Sequence, residues 1–169
     1  MKRLLVASAI ALTFMNANAQ QAPGPFAEAL VKGHASAPLP NLPDTKRVIE
    51  LLQKQTKSDG AITAEFWRIT KFKSQPNCGR VGMIVVQKST NTNWPQMVAE
   101  MNTCADGTPP LRQCKGQKEL VSAETTCADG SPAVDTPEVA QAIAKSQADG
   151  GLTATQVREQ MTKTEVGAK

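Results

Sequence analysis

Four cysteines, Cys78, Cys104, Cys114 and Cys127, limit what this chain can fold into more than any other feature. They all lie within one stretch, and that stretch carries a heptad twice: Thr103-Cys104-Ala105-Asp106-Gly107-Thr108-Pro109, then Thr126-Cys127-Ala128-Asp129-Gly130-Ser131-Pro132. The cysteines are separated by 26, 10 and 13 positions, with no Cys-x-x-Cys pair. This spacing argues against a four-cysteine zinc site and against a Cys-x-x-Cys redox centre. It predicts two disulfides, which suits a chain made for an oxidising compartment.

The N-terminus supports that compartment. Lys2 and Arg3 precede an apolar run from Leu4 to Met15, and Ala17-Asn18-Ala19 is a small-x-small cleavage signal. The run is too short for a transmembrane helix, which needs about 20 apolar residues. Residues 1–19 are therefore expected to be a signal peptide cleaved near Ala19, and the mature protein to be periplasmic or secreted, in a bacterium. Removing nineteen residues from 169 leaves 150, about one domain. The formal charge of +4 falls to +2 without Lys2 and Arg3, so the mature chain has no global pull towards nucleic acid.

Residues 20–43 read as a proline-rich linker or arm, broken by Pro23, Pro25, Pro38, Pro40 and Pro43. Phe26 to Lys32 offers two helical turns ending at Gly33. His34, the single histidine, is expected to be a solvated surface residue with no neighbouring acid. Residues 44–134 are expected to form a disulfide-stapled α+β domain. Its helix runs from Asp44, as N-cap, to Lys57, with Val48, Ile49, Leu51 and Leu52 on one stripe and Asp59-Gly60 as the stop. Strands follow over 61–73, 80–88 and 94–103, with turns at 74–77 and 90–93. A helix begun by Pro95 is the rival for the last strand.

Register decides between them. If the second turn centres on Asn91, opposed residue numbers sum to 182. Val81 then faces Met101, Met83 faces Ala99 and Val85 faces Met97, while Arg80 meets Asn102 and Cys78 meets Cys104. A slip of one residue would move every side chain to the other face. The pattern predicts a hairpin closed by Cys78–Cys104, with Cα atoms about 4.4–6.8 Å apart. Cys114–Cys127 follows by elimination. Residues 135–169 are expected to be a helical or partly disordered tail, with helix starts at Asp135-Thr136-Pro137-Glu138 and at the capping box Thr153-Ala154-Thr155-Gln156. The predicted fold class is α+β: a small antiparallel meander of three to five strands, one packed amphipathic helix, two disulfides and a peripheral helical C-terminal tail.

The chemistry that these residues support is limited. The twin heptad offers one carboxylate per copy, too few for calcium, which takes 6–8 oxygens; it reads as a strand end that turns sharply. Nine basic residues against three acidic ones give 46–88 a net charge of +6, while seven acids and four bases give 124–169 a net charge of −3. The basic segment reads as solvated strand and helix faces, with the acidic tail as partial counter-charge. No phosphate-binding glycine loop, nucleophile elbow or metal-ligand cluster is present. Glu50, Asp59, Glu65 and Glu100 have no distinguishing context. No catalytic residue, metal or cofactor is expected. The surface assigned to interaction is Asp106, Pro109, Pro110 and Arg112 in the loop after Cys104, together with Trp67, Lys71 and Lys73. The function expected is that of an exported, non-catalytic binding or assembly protein of the bacterial envelope, partnered by another envelope protein, for example as an accessory component of a secretion or conjugation apparatus. Two other readings stand beside it: a secreted inhibitor-like or toxin-like disulfide module, and a small carboxylate-dependent periplasmic enzyme.

Overall fold

The computed structural model describes residues 24–150. The expected signal peptide, residues 1–19, and the expected 153–156 capping box lie outside the described residues. The fold is α+β: a four-stranded antiparallel sheet, a two-stranded ribbon, three helices and two disulfides. In chain order, α1 spans Pro25–Lys32, β1 His34–Pro38, α2 Pro43–Thr56, β2 Ile62–Lys71, β3 Cys78–Gln87, β4 Thr92–Cys104, β5 Arg112–Gln113, β6 Leu120–Val121 and α3 Pro137–Ala148. The main sheet has the order β1-β2-β3-β4, and β5 pairs with β6.

The segment expected to be a proline-rich arm is part of the body from Pro25 onward. Its prolines punctuate elements rather than dissolve them. Pro25 sits at the start of α1 and Pro43 at the start of α2, where no N–H is needed, and Pro38 ends edge strand β1. Alternation in His34-Ala35-Ser36-Ala37 puts Ala35 and Ala37 inward, and β1 runs antiparallel to β2 with His34 opposite Trp67. Gly33 closes α1 in the left-handed conformation, at φ 94°, which permits the reversal. Arg68 reaches back to donate to the carbonyls of Leu30 (2.9 Å) and Val31 (3.3 Å), satisfying the end of that helix.

Two helices, not one, pack against the same face of the sheet. From α1, Ala29 and Leu30 are buried with Ala35, Ala64, Phe66 and Val81, and Phe26 meets Phe66 edge-on at 4.8 Å. From α2, Leu52 joins Ile62, Val85 and Trp94, flanked by Val48 and Ile49. Leu51 points outward. The start of α2 is Leu42 with Pro43 following, so Asp44 lies in the first turn instead of capping it. Its end is Lys57 in the left-handed conformation, two residues before the expected Asp59-Gly60 stop. Beneath α1, Gly79 is a contact no side chain can replace. A Cβ there would stand 2.7 Å from Leu30 Cδ1 and would overlap the carbonyl oxygen of Thr70.

The 94–103 segment is a strand, and β3 and β4 adopt the predicted register over half their length. Cys78 opposes Cys104, Arg80 opposes Asn102, Val81 opposes Met101 and Met83 opposes Ala99. The expected Val85–Met97 pair does not form; Val85 opposes Trp94 instead. Between the two registers, Ile84 is matched by the run from Pro95 to Val98, a large bulge beginning at a residue with no N–H to give the ladder. The bulge brings Trp94 into the core, where its Nε1 donates to Gln55 Oε1 at 3.2 Å.

Both predicted disulfides are present. Cys78 and Cys104 form a non-hydrogen-bonded cross-strand pair. The Cys78 N–H donates to Gln75 O, the Cys104 N–H to Thr108 O, and Cys78 O accepts from Phe72. Strands approach most closely at such pairs, and the two Cα atoms lie 3.8 Å apart, below the expected window. The C-terminal helix docks onto this bridge. Val139 is buried against Phe72, Cys78 and Cys104, with Ala142 and Ile143 alongside.

Candidate functional site

α1 and α2 cover one face of the sheet; the opposite face carries α3 at its disulfide end and is otherwise uncovered. Cross-strand pairing lays out that face in rows. His34, Trp67, Gly82 and Glu100 form one row across all four strands. Ser36, Glu65 and Ile84 lie on one side of it, and Thr70, Arg80 and Asn102 on the other.

Trp67 is central. Its ring lies over Gly82, where an added Cβ would fall 2.5 Å from Cζ2 and 2.6 Å from Cε2. Glycine is therefore the one residue that lets the ring rest flat on the backbone. Trp67 is half-buried. The chain has one other tryptophan, Trp94, which is 2% exposed on the opposite face. The two indoles are therefore distinct probes.

Polar groups frame the ring. On one side Glu65 accepts from Lys88 Nζ and Ser36 Oγ, both at 2.8 Å, and His34 Nε2 lies 2.9 Å from its other oxygen. Burial works against the Glu65 charge, but the hydrogen bonds from Lys88 and Ser36 and the charges of Lys88 and His34 outweigh it and hold the carboxyl below its ordinary range. His34 thus has the acidic neighbour it was expected to lack. On the other side Arg80, almost wholly buried, donates from Nε to Glu100 Oε2 and from Nη1 to Asn102 Oδ1, both at 2.7 Å. Ile69, displaced by the bulge between Arg68 and Thr70, leads from Trp67 into a groove of about 440 Å³ between the sheet and α3, which Thr70, Arg80, Glu100 and Gln141 also line.

The assigned interaction residues fall in three separate places. Trp67 lies at the centre of the uncovered face. Asp106, Pro109, Pro110 and Arg112 lie beyond the disulfide, where Pro110 is buried and Arg112 Nε meets Asp135 Oδ1 at 3.2 Å. Lys71 and Lys73 are exposed at the far end of β2. Four of the nine basic residues of 46–88 are committed: Arg47 beside Asp44, Arg68 to α1, Arg80 to Glu100 and Lys88 to Glu65.

The twin heptads build the same turn twice. In each, the cysteine N–H donates to the carbonyl of Thr108 or Ser131, the glycine N–H returns to the cysteine carbonyl, and the Asp Oδ1 accepts both the N–H and the hydroxyl of that Thr or Ser. Gly107 and Gly130 adopt φ of 84° and 81°. The hydroxyl and backbone hydrogen bonds from Thr108 and Ser131 hold Asp106 and Asp129 below the usual carboxylate range. Each aspartate is thus turned onto its own loop. Among the described residues no group of three or more His, Cys, Asp or Glu is placed to hold a metal ion.

Two clamps were not visible in the sequence. Buried Gln75 pairs with the backbone of Leu111, donating from Nε2 to its carbonyl (3.0 Å) and accepting its N–H at Oε1 (2.7 Å). Glu138, in the first turn of α3, accepts the N–H groups of Lys73 and Ser74 and the Ser74 hydroxyl. The backbone bonds from Ser74 and Lys73 lead the causes that lower the Glu138 pKa below its ordinary 4.5. A depressed carboxyl contributes stability above its unfolded pKa and loses it as pH falls through its folded one. Docking of α3 is therefore expected to be complete at neutral pH and to weaken as pH drops below about 4.5. Amide exchange at Lys73 and Ser74 measures this, and Glu138→Gln should raise that exchange at neutral pH and flatten its acid dependence.

The two disulfides are compatible with an extracellular or periplasmic setting, and no helix among the described residues is long and apolar enough to cross a membrane. No family model matches this chain, and neither a curated protein nor a solved structure matches it.

Proposed function

We propose that the protein is an exported, non-catalytic binding protein of the bacterial envelope, released by cleavage near Ala19, with the uncovered sheet face around Trp67 as its recognition surface. The observation that carries this reading is the Trp67 ring, seated on Gly82 with hydrogen-bonding side chains fixed on both sides of it. Aromatic rings held rigidly within a polar frame give large contact area at little entropic cost. The signal sequence and the two disulfides support export. The carboxylates support binding over catalysis. Glu65 is held below the normal range, the reverse of what a general acid requires, and Glu100 is committed to Arg80. A place as accessory component of a secretion or conjugation apparatus fits such a module.

Co-sedimentation of the mature, oxidised protein with isolated bacterial envelopes tests the reading. The wild type should sediment with them, and Trp67→Ala should remain in the supernatant while keeping its far-ultraviolet circular dichroism. Equal sedimentation of the two proteins, or of neither, would overturn it.

A further inference from the structure

We propose that the Trp67 platform takes the flat face of an uncharged sugar ring, making the protein a glycan-binding module. This rests on the uncovered face being the recognition surface and names its ligand class.

The ring geometry comes first. One face of the Trp67 indole is pressed onto Gly82, so its position is set by the backbone of β3. The π-face is electron-rich and meets groups carrying slight positive charge. The C–H bonds on one side of a pyranose ring are such groups, and they lie in a plane that matches an indole. The edge of the same sugar carries hydroxyls, each both donor and acceptor. The frame supplies planar partners of both kinds: the Glu65 and Glu100 carboxylates, the Arg80 guanidinium and the Asn102 amide, whose Oδ1 is taken by Arg80 while its NH₂ remains to donate.

Charge then separates the ligand classes. Each carboxylate on the face is matched by a cation, Lys88 at Glu65 and Arg80 at Glu100. A nucleic acid or an acidic peptide requires cations free to meet its anions. The cations beside Trp67 are already engaged, so this face offers such a ligand a stacking ring without a counter-charge. A purely apolar ligand would take water from the Asn102 NH₂ and from the carboxylates without replacing its hydrogen bonds. A neutral polyol satisfies both conditions. The groove that continues from Ile69 under α3, about 440 Å³, is within the size range of small-ligand sites and provides for a second ring of a chain.

The test is titration of the mature protein with linear neutral pentasaccharides of glucose and of N-acetylglucosamine, followed by tryptophan fluorescence and by calorimetry. A short single-stranded oligonucleotide and a glutamate-rich peptide serve as rivals. A saturable response to a pentasaccharide is expected, weakened about tenfold or more in Trp67→Ala, as loss of a stacking ring implies. Gly82→Ala, which pushes the ring off its seat, should weaken binding similarly. Circular dichroism identifies either variant that fails to fold, and competition of excess pentasaccharide against envelope binding by the wild type then serves in its place. No response to either sugar, an unchanged affinity in both folded variants, or a Trp67-dependent response to the oligonucleotide or peptide would overturn the proposal. If Trp67 is needed for envelope binding but excess pentasaccharide fails to compete, the recognition face stands and the sugar assignment falls.

Discussion

Replacing Cys78 and Cys104 together by alanine is expected to lower the unfolding free energy by about 3–4 kcal/mol, the chain-entropy value for a loop of this length. The two cysteines are 26 positions apart and join the start of β3 to the end of β4. Beyond closing that loop, they form the floor on which α3 rests, against Phe72 and Val139. The loss should therefore appear in two ways. Urea denaturation should give a lower midpoint, and amide exchange should rise selectively along α3. The Cys114–Cys127 bridge closes a shorter loop, 13 positions, so Cys114→Ala with Cys127→Ala should cost somewhat less, about 3 kcal/mol. Its damage should stay near β5, β6 and Ala133, which form their own small cluster. A midpoint unchanged by the first pair of substitutions would mean that the hairpin holds its register without the bridge.

Glu100→Ala is expected to be nearly as costly, about 3 kcal/mol, because it leaves the Arg80 charge buried without its carboxylate. Arg80 retains only Asn102 Oδ1, and its side chain is 10% exposed against 27% for Glu100. Partial exposure of the glutamate moderates the loss, which places it at the low end of the range for broken buried pairs. The double variant Arg80→Met, Glu100→Leu removes both charges and should recover most of the stability. A double variant no more stable than Glu100→Ala would show that packing, not charge, is what the pair supplies. Since both residues frame Trp67, Glu100→Ala should also weaken envelope binding.

The parts of this fold that could be read from the sequence are those where two independent signals met. The β3–β4 hairpin is one. Apolar alternation and the opposition of Cys78 to Cys104 demanded the same register, and that register is observed from Cys78 to Met83. It failed beyond Met83 because four residues, Pro95 to Val98, oppose Ile84, and a bulge leaves no trace in alternation counted across it. β1 was missed although His34-Ala35-Ser36-Ala37 alternates as a strand should. The surrounding prolines resemble breakers in the sequence, whereas they mark the starts of α1 and α2 and the end of β1.

That error also hid the site. Trp67 was singled out, but His34, Ser36 and Glu65 become its frame only once β1 is placed beside β2. Arg80 and Asn102 had been opposed by the register, and the signal that they belonged with Trp67 lay in Gly82, the residue that lets the ring lie flat. Gln75 and Glu138 bind backbone groups far away in sequence, 36 and 64–65 positions, and no local pattern announces such contacts. The twin heptads, the most specific words in the sequence, encode a turn stapled by a disulfide, made twice.

Recognition at Trp67 is tested most directly by the pair of indole N–H resonances in a ¹⁵N-labelled protein lacking residues 1–19. Trp67 and Trp94 lie on opposite faces of one sheet, one half-buried over Gly82 and the other sealed in the core beside Gln55. On titration with solubilised envelope material, the Trp67 resonance should move and saturate while the Trp94 resonance stays in place. Saturable binding that shifts Trp94, or that leaves Trp67 unmoved, would place recognition elsewhere and contradict the account.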